Sequence, residues 1–181
     1  YIKNNNKQKE YYLPDLIQVA RKQGKEIQAH CLTDNEEALG INTQADLNLA
    51  NELIYRRHQQ LAMQNGVTLV GKDVFIDADV RVGAGSRLES PCYLKGKTYL
   101  GEEVTVESGT VIKDSKIGSG SLLKSNSYLD GARVGGLCQI GPFAHLRPGS
   151  HLEDGVKVGN FVETKKSHVG KDSKVNQDRK S

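Results

Sequence analysis

From Val70 onward an aliphatic side chain returns every six residues: Val70, Ile76, Val82, Leu88, Leu94, Leu100, Val106 and Ile112. A five-residue step leads to Ile117, Leu123 and Leu129. A second leads to Val134, Ile140, Leu146, Leu152, Val158 and the polar Thr164, and a third to Val169 and Val175. Four residues after the aliphatic stands a small or β-branched residue, as at Ser86, Cys92, Thr98, Ser121, Cys138 and Ser150, and the residue directly after it is often Gly, as at Gly83, Gly101, Gly118 and Gly135. A period of six is neither the 3.6 of a helix nor the 2 of an ordinary strand. It predicts strands of two or three residues joined by tight turns, three hexads making one coil of about 18 residues. Coils stacked at the inter-strand spacing of roughly 4.8 Å give a parallel β-helix over 67–175 with about six coils, some 28 Å tall. The aliphatic and the small residue point inward, and Gly supplies turn backbone that a side chain would obstruct.

The first 66 residues follow another pattern. Pro14 and Asp15 open a short amphipathic segment, Leu16 to Ala20, with Gly24 at its C-terminal end. Ile27 to Cys31 alternates like a strand, and an acidic loop ends at Gly40-Ile41-Asn42. Thr43 then caps a long helix reaching about Gln64, with Asp46 in the capping-box place, Leu47, Ala50, Ile54 and Leu61 at helical spacing, and Gly66 beyond. Helix, strand and loop over 42 residues are too little to close a sheet, so this part reads as the tail of an α/β domain.

Composition sharpens this picture. Hydrophobic residues make only 36% of the 181-residue chain, which suits a repeat that needs two inward residues per hexad. No apolar run approaches 18 residues, which excludes a membrane-spanning helix, and no secretory signal is present. Cys31, Cys92 and Cys138 are odd in number and form no CxxC pair, which fits a reducing, cytoplasmic setting. The net charge of +3 lies wholly in 163–181, with six Lys or Arg against three acids. A cluster of that kind is a solvated face or a seat for a phosphate.

NNNKQKEYYLPD (4–15), GINTQADL (40–47), IGPFAHLRPG (140–149) and VGNFVETKKSHVGKDSKV (158–175) resemble, in order, the bacterial bifunctional N-acetylglucosamine-1-phosphate uridyltransferase and glucosamine-1-phosphate N-acetyltransferase family. The resemblance implies a left-handed parallel β-helix that assembles as a homotrimer. It is preceded by a linker helix and the end of an α/β nucleotidyltransferase domain. The corresponding divisions are 1–42 as the uridyltransferase remnant, 43–66 as the linker, and 67–181 as the acetyltransferase β-helix. It implies acetyl transfer from acetyl-CoA to glucosamine-1-phosphate, then coupling to UTP with Mg²⁺, toward UDP-N-acetylglucosamine for the cell wall. Partners would be a sugar phosphate or UDP-sugar, with neither nucleic acid nor membrane.

Carried over residue by residue, the resemblance makes Asn42 a contact for Mg²⁺ and the uridylyl sugar. Tyr12 becomes a sugar-nucleotide contact, although Pro14 stands where a threonine is expected. Arg147 and Lys165 become the cations on the sugar phosphate, the first through a forked guanidinium and the second as a compact charge. The catalytic base should follow SKVN as a histidine; Gln177 stands there, and an amide cannot take the proton. The nucleotide loop and the acetyl-CoA-binding coils are missing, so both ends read as cut short and neither acetyl-CoA nor Mg²⁺ is expected to be bound productively. Two other classes stand beside this reading. One is a catalytically dead trimerising scaffold. The other is a zinc enzyme of carbonic anhydrase type, drawn from His145, His151 and His168, since the third short step places His168 one coil above His151.

Overall fold

The computed structural model describes residues 2, 4, 7 and 9–176. The chain divides into two compact units, Tyr1–Gly40 and Ile41–Ser181.

In the first unit, helix α1 (Asp15–Lys22) ends at Gly24, whose φ of +63° turns the chain back so that Lys25 N–H reaches the Ala20 carbonyl at 3.0 Å. A short 3₁₀ turn, Asn35–Ala38, is capped by the Asp34 carboxylate. The alternating stretch Ile27 to Cys31 forms no strand: among the described residues no backbone hydrogen bond pairs it with a neighbour, and Ile27 and Leu32 remain exposed. Alternation alone does not make a strand where no second edge exists to satisfy its backbone.

The second unit opens with helix α2 (Gln44–Gln64). Thr43 and Asp46 exchange side-chain-to-backbone hydrogen bonds across its first turn, a complete capping box. Three parallel sheets follow, of seven, six and six short strands. The first runs from Thr68–Val70 through Leu122–Leu123 to Lys174–Val175; the second from Val74–Ile76 to Glu163–Thr164; the third from Arg81–Val82 to His168–Val169. The chain visits them in rotation, one strand each per coil, which makes a left-handed parallel β-helix of about six coils. The hexad slots become vertical ladders: Leu94, Ile112, Leu129 and Leu146 stack in register inside the second sheet. All three five-residue steps fall at the corner from the second sheet to the third, which turns through Asp114, Gly131 and Lys166 at φ of +45°, +57° and +45°.

One rung departs from the expected pattern. Leu69, not Val70, pairs with Leu88 and faces inward, while Val70 pairs with Glu89 and stays exposed. The turn Gly71-Lys72-Asp73 takes up the extra residue. The small inward slots are filled as expected, and their hydroxyls tie coils together. Ser121 Oγ donates to the Gly135 carbonyl at 3.0 Å and accepts from Cys138 N–H at 3.1 Å. Hydroxyls paired in this way are tolerated in a closed interior; among the described residues, Ser127 Oγ, buried in an equivalent slot, has no partner. Gly118 and Gly135 answer to close approach, since a Cβ on Gly118 would run into the Gly135 backbone in the coil above.

Cys92 and Cys138 lie buried in those slots, and Cys31 is exposed. Burial pushes the Cys92 thiol up to about 12 and also raises that of Cys138. Because the thiolate is the reactive form, a thiol reagent at pH 8 should titrate one cysteine in the native protein and three in denaturant. Rapid native labelling of Cys92 would contradict its place in the core.

Helix α2 closes the first coil. Its Gln59 amide donates to the Lys72 and Val74 carbonyls at 3.1 and 2.8 Å, and His58 Nδ1 meets the Ile76 carbonyl at 2.6 Å. The Val74 and Ile76 carbonyls belong to the lowest strand of the second sheet, that of Lys72 to the turn before it, and no coil lies beneath them. Tyr55 of α2 adds an edge-on contact to Phe75, 5.2 Å between centroids.

Candidate functional site

The cationic residues singled out in the sequence meet on the last coils of the second sheet. Leu146 pairs with Thr164, so Arg147 and Lys165, the residues that follow them, stand on successive coils at the same corner. The backbone of Arg147 is held on both sides of its peptide unit. Its N–H donates to the Thr164 carbonyl at 2.8 Å, and its carbonyl accepts from Ser150 Oγ at 2.7 Å. Ser150 Oγ in turn accepts from the buried Thr164 hydroxyl at 2.8 Å. Thr164, the one polar break in the aliphatic ladder, thereby anchors the turn that presents Arg147.

The Arg147 side chain is half-exposed, and Nη1 donates to Glu163 Oε1 at 2.8 Å. That hydrogen bond is the main cause holding the Glu163 carboxyl below its ordinary range, with further help from the Arg147, His145 and Lys165 charges. One edge of the guanidinium is thus engaged, and the other donors remain for an oxyanion. His145 occupies the rung below Glu163 and meets Tyr128 edge-on, 5.2 Å between centroids. Glu163 was not marked out in the sequence, and coil register brings it beside Arg147; His145, read there as a metal candidate, is Arg147's neighbour two residues back in the chain.

A second carboxylate is tied in the same coils. Glu153 accepts from His168 Nε2 and from Lys171 N–H, both at 2.8 Å, and the His168 bond is the main cause holding its carboxyl below the usual carboxylate range. A carboxyl with a depressed folded value contributes stability above its unfolded value, near 4.3, and loses it as pH falls through the folded one. Amide protection over 163–175, corrected for intrinsic rates, should therefore fall below about pH 4 before protection over 100–140 does. Simultaneous loss would show that these contacts do not hold the last coil.

His151 and His168 do stand on neighbouring rungs, 4.8 Å between ring centroids at 67°. His145 lies on a different sheet, and among the described residues no group of three His, Cys, Asp or Glu side chains could hold a metal ion. The zinc reading has no ligand set here. Asn42 is exposed, and its N–H donates to the Asp46 carboxylate at 3.1 Å, which also serves Thr43. One carboxamide and an engaged carboxylate do not fit a Mg²⁺ site. Tyr12 lies in the first unit, half-exposed, its carbonyl accepting from Asp15 N–H at 3.1 Å. Gln177 lies outside the described residues.

No family model matches the chain. It is 41% identical over 175 residues to the bifunctional protein GlmU of Listeria monocytogenes and 37% identical over 172 residues to that of Enterococcus faecalis, matching 96% and 94% of its own length. It spans about 38% of the length of the first of these relatives and 37% of the second. Among solved structures, the acetyltransferase domain of PglB from Neisseria gonorrhoeae aligns over 70% of this chain and 64% of that one, with a TM-score of 0.59 at 18% identity. The same domain has been solved in complex with acetyl coenzyme A, at a TM-score of 0.51. The likeness to these structures is one of fold, while the sequence matches carry descent: the chain belongs to the family of the bifunctional GlmU proteins.

Proposed function

We propose that this chain corresponds to the acetyltransferase side of a GlmU-type enzyme and binds the phosphate of glucosamine-1-phosphate between Arg147 and Lys165. The observation that carries the reading is the placing of these two cations on successive coils at one corner, with the Arg147 backbone locked by Ser150 and Thr164. A guanidinium forks onto two phosphate oxygens and an ammonium adds a point charge, so the pair suits a terminal phosphate monoester. Acetyl-CoA would supply an activated acetyl group; attack on it requires a base to take the proton from the glucosamine amine. Gln177, where the family has that base, cannot do so. Binding without turnover is the expected behaviour. The uridyltransferase assignment of Tyr12 and Asn42, and assembly as a homotrimer in the cytoplasm, rest on the same family reading.

Calorimetry with glucosamine-1-phosphate tests the site. Arg147→Ala should weaken binding by about tenfold or more, the scale of a lost charge-assisted pair, and raised salt should weaken the unaltered chain because exposed charges are screened. Unchanged affinity in the variant removes the phosphate role. Robust acetyl transfer by the purified chain would refute the expectation of binding alone.

A further inference from the structure

The outer column of the third sheet differs in kind from that of the second. In register, coil by coil, it reads Arg81, Tyr99, Lys116, Arg133, His151 and His168. Every rung is cationic, imidazole or aromatic, and all six residues are exposed. The second sheet, in contrast, carries Phe75, Tyr93, Val111, Tyr128, His145 and Glu163.

Lys116 and Arg133 occupy the middle of the column. Like charges on directly opposed rungs are unfavourable. On the second sheet the stacked Lys95 and Lys113 are relieved by Asp130, 3.7 Å from the Lys113 ammonium. Nothing relieves Lys116 and Arg133: among the described residues neither has a carboxylate at ion-pair distance, and nearby acids are engaged elsewhere. Asp114 accepts from Lys97 N–H and Glu153 from His168.

Beside these two residues the wall is absent. Two positions along each strand stand Gly118 and Gly135, where backbone approach forbids any Cβ. No side chain therefore stands beside either cation at that position, and the carboxylate that lies over Gly135, that of Asp154, is engaged by the Gly136 N–H at 2.7 Å. One rung below Lys116 lies Tyr99, 51% exposed as a residue.

We propose that this column binds a nucleoside diphosphate, with Lys116 and Arg133 on the two phosphates and the Tyr99 ring against the base. The rungs are spaced about 4.8 Å apart, so Arg133 stands about 10 Å above Tyr99, the reach of a diphosphate extending from a stacked base. An aromatic face takes any base without demanding its identity, and paired cations relieve their own repulsion by sharing an anion. The site lies on a different sheet from Arg147 and Lys165 and does not depend on their role.

ADP and inorganic pyrophosphate are the probes, titrated calorimetrically into the full chain at low salt. Lys116→Gln and Arg133→Gln are exposed changes expected to leave the circular dichroism spectrum intact. Each should weaken both ligands about tenfold and flatten the salt dependence. Tyr99→Ala should weaken ADP about tenfold and leave pyrophosphate unchanged. Lys157→Gln, an exposed cation of the first sheet, should change neither, and glucosamine-1-phosphate should not displace ADP. The proposal is overturned if ADP fails to bind at millimolar concentration, if Arg133→Gln leaves its affinity intact, or if glucosamine-1-phosphate competes. Loss through Arg133→Gln without loss through Tyr99→Ala would overturn the nucleoside assignment and leave a plain polyphosphate strip.

Discussion

Leu129→Ala is expected to lower the unfolding free energy of the β-helix by about 3 kcal/mol. Leu129 is wholly buried and sits between Ile112 below and Leu146 above, in register with both. Removing it takes away apolar burial and leaves a void. The neighbouring rungs cannot collapse into that void, because hydrogen bonds between coils fix their spacing. Exposed positions on the same strands should behave otherwise: Tyr128→Ser, which strips an exposed ring, should cost far less. Denaturant unfolding of the two variants side by side is the measurement. Equal shifts in midpoint would mean that the interior is not the closed aliphatic column described.

The second large effect concerns the base of the solenoid. The double variant His58→Ala, Gln59→Ala removes the donors to the carbonyls of Lys72, Val74 and Ile76. A buried carbonyl left without a partner costs about 1–3 kcal/mol, though water can reach part of this edge and reduce the sum. Hydrogen exchange should show protection lost over 68–82 while 100–140 keeps its own. Should the first coil stay fully protected, α2 is a passive neighbour and something else closes the edge.

Much of this molecule was legible in its sequence because a solenoid writes its core as a period. The six-residue recurrence located the inward residues from Ile76 to Val175, and the five-residue steps marked the tight corner between the second and third sheets. The first rung was misplaced by one, at Val70 in place of Leu69, because the pattern gains a residue in the turn before Ile76 and a fixed period carries no allowance for it. The strand expected at Ile27 to Cys31 failed for a different reason: alternation reports which side chains share a face, and nothing about a partner for the backbone. At the candidate site, Arg147 and Lys165 came from motif resemblance. Glu163 became visible only through pairing between coils, which connects residues far apart in the chain, while His145, two residues from Arg147, had been read as a metal candidate. Thr164 looked like a defect in the ladder, yet its hydroxyl supports the Arg147 turn through Ser150.

The capped base also bears on how the chain folds. Each rung joins residues one coil apart: Leu94 to Ile112 is eighteen residues and Ile112 to Leu129 seventeen. Every new coil thus closes a loop of nearly constant length, at a nearly constant entropic cost, and gains contact only with the coil before it. In such a one-dimensional system the costly event is the first coil, which has no template. Helix α2 can form from local contacts and offers Gln59 and His58 as ready partners for the lowest strand, so the column is expected to zip upward from it. Destabilising changes in α2 should then slow refolding, and changes near Val158 should mainly hasten unfolding.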